Sequence, residues 1–134
     1  SGTVFISIKD EDKPAFIEIC RSLVEDGFSI LATGGTTAAL QAAGVPAIRI
    51  NKVMEGRPHA VDAMLSGDIQ LVFNTAKGAG AIKDSFSLRH TALTNKVPYY
   101  TTVAGSQAAA EAIRALRAGQ LGVRTLQDYL ADIS

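Results

Sequence analysis

The chain reads as an α/β domain layered on an open parallel sheet, and three observations lead there. Strand-like and helix-like patterns alternate from end to end, the arrangement that builds βαβ units. No low-complexity linker, charge block or internal repeat separates them, so the pattern belongs to one folding unit spanning residues 1–134. The composition is 47% apolar over 134 residues, a usual single-domain length with ample material for one buried core.

Thr3 to Ile8 forms a first strand, and the polar cluster Lys9-Asp10-Glu11-Asp12 breaks it. An amphipathic helix comes next, with Asp12 as N-cap and Pro14 in the first turn. Its buried stripe carries Phe16, Cys20 and Leu23 with Ile17, Ile19 and Val24, while Glu18, Arg21 and Glu25 face away and Gly27 ends it. Phe28 to Ala32 is a second strand, Thr37 to Ala43 a short helix stopped by Gly44, and Ala47 to Ile50 a third strand. After a polar loop, Ala60 to Leu65 is helical and Ile69 to Phe73 is a fourth strand. That strand's nearly continuous apolar run marks a central position covered on both faces. Gly80 to Asn95 reads as helix, Pro98 to Thr101 as a fifth strand, and Ser106 to Ala118 as a helix burying Ile113 and Leu116. Leu126, Tyr129 and Leu130 suggest a last helical turn.

Composition also excludes function classes. Thirteen Lys and Arg balance thirteen Asp and Glu, so there is no global field for gathering a phosphate backbone, and a nucleic-acid partner is not expected. The single Cys20 permits neither an intramolecular disulfide framework nor a multi-cysteine zinc site, and its place on the buried stripe makes it a core thiol. No apolar run approaches the roughly 18 residues that span a bilayer, and no charged leader precedes the first strand. A cytoplasmic setting without membrane attachment is the expectation.

Open parallel sheets take their ligands beyond the carboxyl ends of the strands, where loops and helix N-termini converge. The residues just after each strand are therefore informative: Lys13 after the first, Thr33-Gly34-Gly35-Thr36-Thr37 after the second, Lys52 after the third, and Asn74-Thr75-Ala76-Lys77-Gly78 after the fourth. Each has an ordinary structural explanation. The glycine turn is neither G-x-G-x-x-G nor a Walker loop, isolated lysines are commonly solvated, and Asn74-Thr75 can cap the following segment. Their shared edge is what points to an anion, and to phosphate above all, because glycines admit backbone amides, threonines donate hydroxyls and lysines bring charge.

Catalytic signals are weak beside this. His59 adjoins Pro58 in a loop and His90 adjoins Arg89 in a helical pattern. Neither has metal-ligand spacing to a Cys, Asp or Glu, and no Ser or Cys sits at an evident nucleophile elbow. Asp10, Asp12 and Asp62 read as caps or solvated carboxylates rather than as acids or bases.

The turn Thr33-Gly34-Gly35-Thr36, the string Asn51-Lys52-Val53 with Glu55-Gly56-Arg57-Pro58-His59, and Phe73-Asn74-Thr75 resemble the carboxyl-terminal allosteric domain of the carbamoyl-phosphate synthase large subunit. That is a methylglyoxal-synthase-like domain, and the resemblance runs in order over residues 3 to 133. It implies a three-layer α/β/α sandwich with a mostly parallel five-stranded sheet, and a chain that is a fragment of a much longer one. In glutamine-using bacterial members the domain receives UMP, which inhibits, and IMP, which competes for the same crevice. The resemblance puts Lys13, Thr33, Thr36, Lys52, Asn74 and Thr75 on the nucleotide positions, with Gly34 and Gly35 in the turn and Lys77 close by Asn74-Thr75 in the loop after the fourth strand. Tyr99 and Thr101 fall where similar enzymes bind the activator ornithine, at the joint with the catalytic body.

The implied parent is a ligase that makes carbamoyl phosphate for pyrimidine and arginine biosynthesis from bicarbonate and glutamine-derived ammonia. It uses ATP with Mg2+ or Mn2+ and K+, and works with a small glutaminase subunit; no cofactor is expected in this domain itself. Two departures matter. Many relatives carry a second Thr where this chain has Ala76. The methylglyoxal synthases proper, which act on dihydroxyacetone phosphate, need an Asp after two glycines where this chain reads Gly56-Arg57-Pro58. Proline takes no proton, so the resemblance implies a phosphate pocket without the lyase chemistry. An ammonia-dependent parent would instead use the fold for N-acetylglutamate; the retained Thr and Lys set favours a nucleotide.

Overall fold

The computed structural model describes residues 2–51, 59–75 and 79–117. Among them are five strands, β1 (Gly2–Ser7), β2 (Phe28–Ala32), β3 (Ile48–Arg49), β4 (Leu71–Asn74) and β5 (Tyr99–Tyr100). They alternate with five α-helices, α1 (Lys13–Glu25), α2 (Gly34–Ala42), α3 (Ala60–Leu65), α4 (Ala79–Thr94) and α5 (Val103–Arg117). The strands form one sheet in the order β3-β2-β1-β4-β5, and every pairing is parallel. The final turn expected around Leu126 to Leu130 lies outside the described residues.

Burial explains why β1 and β4 read as unbroken apolar runs. Val4, Phe5 and Ile6 are sealed, as are Leu71, Val72 and Phe73, because helices cover both faces of the sheet. Val4, Ile6, Phe28, Ile30 and Ala32 join Phe16, Leu23, Leu40 and Ile113 in one core layer, beneath α1, α2 and α5. Phe5 and Val72 turn the other way, onto Ala60, Met64, Leu88 and Ala92 of α3 and α4. Phe73 is the keystone of the first layer, its ring 5.8 Å from that of Phe16 and 6.0 Å from that of Tyr100. The sandwich is thus three-layered, with β1 at its centre and β4 interior between β1 and β5.

Several boundaries differ from the sequence reading, each for a local reason. The helix expected from Thr37 starts at Gly34. Glycine's poor helix propensity costs least in a first turn, and the extended Thr33 closes that turn by accepting the Thr37 N–H at 2.8 Å. Asp12 occupies the N-cap position of α1 without capping by its side chain: a 3-10 turn, Asp10–Asp12, runs straight into the helix, and the Asp12 carboxylate pairs with Lys9 at 3.6 Å instead. β3 and β5 are two residues each, and α5 begins at Val103. Gly27 does end α1, at φ 92°, a conformation that residues with a Cβ avoid.

Cys20 is fully enclosed, and burial pushes its thiol up to about 12 from 9.0. A folded-state value raised above the unfolded one stabilises the fold below about pH 9, and that contribution is lost as pH climbs toward 12. Stability should therefore decline above pH 9 by up to about 1.4 kcal/mol per pH unit from this group, a slope that Cys20→Ala removes in alkaline urea titrations. In the sheet, Val72→Asp should cost more than about 4 kcal/mol, because residue 72 is fully buried. A thermal melt followed by circular dichroism would show the variant unfolded at room temperature.

Candidate functional site: a crevice at the ends of β1 and β4

The connections place the site. From β1 the chain moves outward one way to β2 and β3, then returns to lay β4 and β5 on the other side. Loops therefore diverge between the carboxyl ends of β1 and β4, the switch point where such sheets bind ligands. Ser7 and Asn74 are paired in register there.

Five polar residues converge at this end, all buried: Ser7 (7% exposed), Thr33 (3%), Thr36 (3%), Asn74 (4%) and Thr75 (7%). Polar groups are not packed away without partners, and the partners here are the loops themselves. The Ile8 N–H donates to Thr36 Oγ1 at 3.1 Å, and the Lys9 N–H donates to Thr75 Oγ1 at 3.2 Å. Each hydroxyl thus accepts from the segment just after β1 and keeps its own proton to donate elsewhere. Thr33 Oγ1 lies 3.4 Å from Ser7 Oγ. Thr37, by contrast, turns its hydroxyl back to the Ala32 carbonyl at 2.9 Å and serves the turn alone.

The first turn of α2 forms one wall. Thr33 makes no side-chain cap, so the N–H groups of Gly34, Gly35 and Thr36 have no intrahelical acceptor and point out of the helix end. Both glycines are packed by cations. A Cβ on Gly35 would come within 3.1 Å of the Lys13 ammonium, and one on Gly34 within 3.2 Å of Arg49 Nε. Lys13 also binds the exposed Asp10 carboxylate, whose pKa it lowers by hydrogen bond and charge.

On the other wall, Asn74 Nδ2 donates to the Tyr99 hydroxyl at 2.7 Å, and the Arg89 guanidinium sits 5.8 Å from the Tyr99 ring centre. Tyr99 is therefore tied directly to the β4 end of the crevice, whereas Thr101 is exposed just beyond β5. Of the residues singled out from the sequence, Lys13, Thr33, Gly34, Gly35, Thr36, Asn74, Thr75 and Tyr99 fall together. Lys52, Ala76 and Lys77 lie outside the described residues. Ser7 and Arg49 escaped the sequence reading; Ser7 is legible as the last residue of the central strand, but no motif marks Arg49.

The histidines stay out of this chemistry. His59 caps α3 in a reciprocal box with Asp62, the Asp62 N–H donating to His59 Nδ1 at 3.4 Å and the His59 N–H to Asp62 Oδ2 at 3.1 Å, which is the structural role expected of that carboxylate. His90 is exposed on α4 and stacks on Phe86. Among the described residues no group of three His, Cys, Asp or Glu side chains could hold a metal ion. Nor is any described helix long and apolar enough to cross a membrane. A shallow apolar groove of about 410 Å³ lined by Val24, Phe28, Pro46 and Ile48 lies at the opposite, amino-terminal end of the strands.

With sheet order, switch point and crevice fixed, the chain belongs to the MGS-like domain family, whose model matches residues 15–101. Within that family it is similar to the carbamoyl phosphate synthase large chain, at the MGS-like domain of that protein. It is 55% identical over 128 residues to the large chain of Brucella suis, covering 96% of this chain and 11% of that one. The large chain of Rhizobium meliloti is likewise 55% identical over 128 residues, with the same coverage. This chain thus spans about a tenth of the length of the curated relatives it matches. A crystal structure of ForH superposes with a TM-score of 0.62 at 15% identity, covering 98% of this chain and 92% of ForH, a likeness of fold alone.

Thr36→Val removes the acceptor for the buried Ile8 N–H while keeping the shape of the side chain. It should cost about 1–3 kcal/mol in urea unfolding, whereas Thr36→Ser should recover most of the loss.

Proposed function

We propose that this chain is an allosteric receptor for a nucleoside 5′-monophosphate, UMP or IMP, within a glutamine-dependent carbamoyl-phosphate synthase large subunit. The observation that carries the reading is the convergence, at one switch point, of the α2 N-terminus, the Lys13 ammonium and the hydroxyls of Thr33, Thr36 and Thr75. A phosphate dianion needs several donors and positive charge in one place, and this end of the sheet offers both. Lys52, carried over by the family motif, would add charge to the same pocket, as would Lys77, the neighbour of Ala76.

In this reading the domain performs no chemistry. Its occupancy biases the ATP-dependent synthesis of carbamoyl phosphate elsewhere in a cytoplasmic parent that includes the catalytic body and a small glutaminase subunit. ATP, Mg2+ or Mn2+ and K+ would serve those other parts. The effector acts by binding one state of the parent better than the other, and a coupling of about 1–3 kcal/mol changes the linked affinity about 5- to 150-fold. Ornithine would bind at Tyr99 and Thr101, with the remaining contacts supplied by the catalytic body. The hydrogen bond from Asn74 to Tyr99 then joins the two effector positions.

Calorimetric titration of UMP, IMP and inorganic phosphate into the chain tests this. Saturable binding by a nucleotide, weakened at least about tenfold in Lys13→Ala and in Lys52→Ala as charge-assisted contacts are lost, is the expected outcome. Phosphate release from dihydroxyacetone phosphate that persists through purification and vanishes with a pocket variant would instead identify a methylglyoxal-synthase-type lyase.

A further inference from the structure

Helix α4 is apolar on two sides. Its inner side sets Leu88 and Ala92 in one cluster with Phe5, Met64 and Val72. On the opposite side Phe86 and Leu93 are 75% and 78% exposed, and Arg89 and His90 between them are exposed as well. At 3.6 residues per turn Phe86 and Leu93 share the outermost line of the helix, ~10 Å apart along its axis. The His90 ring lies parallel to that of Phe86, the planes 3° apart. Single exposed apolar side chains are ordinary on a folded protein. Here they gather: of the four large ones among the described residues, Leu65, Phe86 and Leu93 all belong to α3 and α4.

We propose that the outer face of α4, centred on Phe86, His90 and Leu93 with Arg89 at its side, is the surface on which the rest of the parent large chain packs, through an apolar patch edged by carboxylates. The inference rests on the parent-chain part of the reading above and is independent of which ligand the crevice takes. An aromatic ring beside an arginine is the kind of anchor that interfaces concentrate.

Three observations choose this occupant. The match to the Brucella suis large chain covers 96% of this chain but 11% of that one, and a body joined through the same polypeptide meets this face at the high effective concentration of an intramolecular contact. The second observation is charge. Residues 86–96 carry Arg89 and Lys96 and no Asp or Glu. In a twofold interface between two copies a patch faces itself, so those cations would meet cations, whereas a partner with carboxylates at its rim is complementary. The third is continuity with the crevice. The Arg89 guanidinium sits 5.8 Å from the Tyr99 ring centre, and the Tyr99 hydroxyl accepts from Asn74 at the end of β4. A body seated on α4 thus touches a chain of contacts that reaches the crevice, which is what occupancy of the crevice needs in order to bias the body.

The test compares the 134-residue chain with the intact large chain that contains it by hydroxyl-radical footprinting, with buried Phe73 as the reference. Phe86 and Leu93 should react readily in the 134-residue chain and fall toward the rate of Phe73 in the intact one. The double variant Phe86→Lys, Leu93→Lys should melt like the wild type as the 134-residue chain, because both side chains are exposed. In the intact large chain it should return His90 to the reactivity seen in the 134-residue chain. Equal reactivity of Phe86 and Leu93 in the two wild-type forms overturns the proposal, as does a double variant that keeps His90 protected. Protection already present in the 134-residue chain also overturns it: with a dimer in sedimentation that the double variant dissolves, the face belongs to a second copy, and with a monomer or a lowered melting temperature it serves the domain's own fold. Protection in an intact chain that binds neither UMP nor IMP removes the nucleotide reading and leaves this inference standing, whereas a native protein no longer than this chain removes the parent reading and this inference together.

Discussion

Two threonine hydroxyls fasten the backbone that leaves the central strand, and the crevice depends on them. Thr36 Oγ1 accepts from Ile8 N and Thr75 Oγ1 from Lys9 N, so segments following β2 and β4 hold the same short stretch after β1 from both sides. Without them the Ile8 N–H would be buried and unsatisfied, and the half-buried Lys9 N–H would lose its partner. With them, the β1 exit, the start of α2 and the end of β4 have fixed positions relative to one another. Lys13, five residues after Ile8, is delivered by that fixed exit to the first turn of α2.

The same geometry separates stability from binding. The core is built from two apolar layers on either side of the sheet, with Phe16, Phe73 and Tyr100 in ring contact. Lys13 and Arg49 lie outside those layers, Lys13 paired with Asp10 and Arg49 bonded to Asn51. The tie between Asn74 and Tyr99 links the carboxyl ends of β4 and β5.

Much of the fold is legible in the sequence because its cause is local. The sealed run Leu71-Val72-Phe73 announces a strand covered on both faces, the limits of Phe28–Ala32 and Ala60–Leu65 agree with the sequence pattern at both ends, and the buried stripe of α1 follows from spacing. Boundaries differ where tertiary contacts override propensity. Gly34 and Gly35 look like a turn and are a helix start, and Asp12 looks like a cap yet makes no capping bond.

By itself the sequence determined the layered α/β class, the buried layers and the edge where Lys13, Thr33, Thr36, Asn74 and Thr75 gather, because hydrophobic period and strand order are written in the chain. Only the tertiary structure decided that Ser7 lines the crevice, that Tyr99 binds Asn74, and that Arg49 packs on Gly34. The reason is physical: these relations join residues far apart in the chain through sheet register, as Ala32 with Arg49 and Ser7 with Asn74. Register is fixed by the packing of the whole sheet, and no local pattern encodes it.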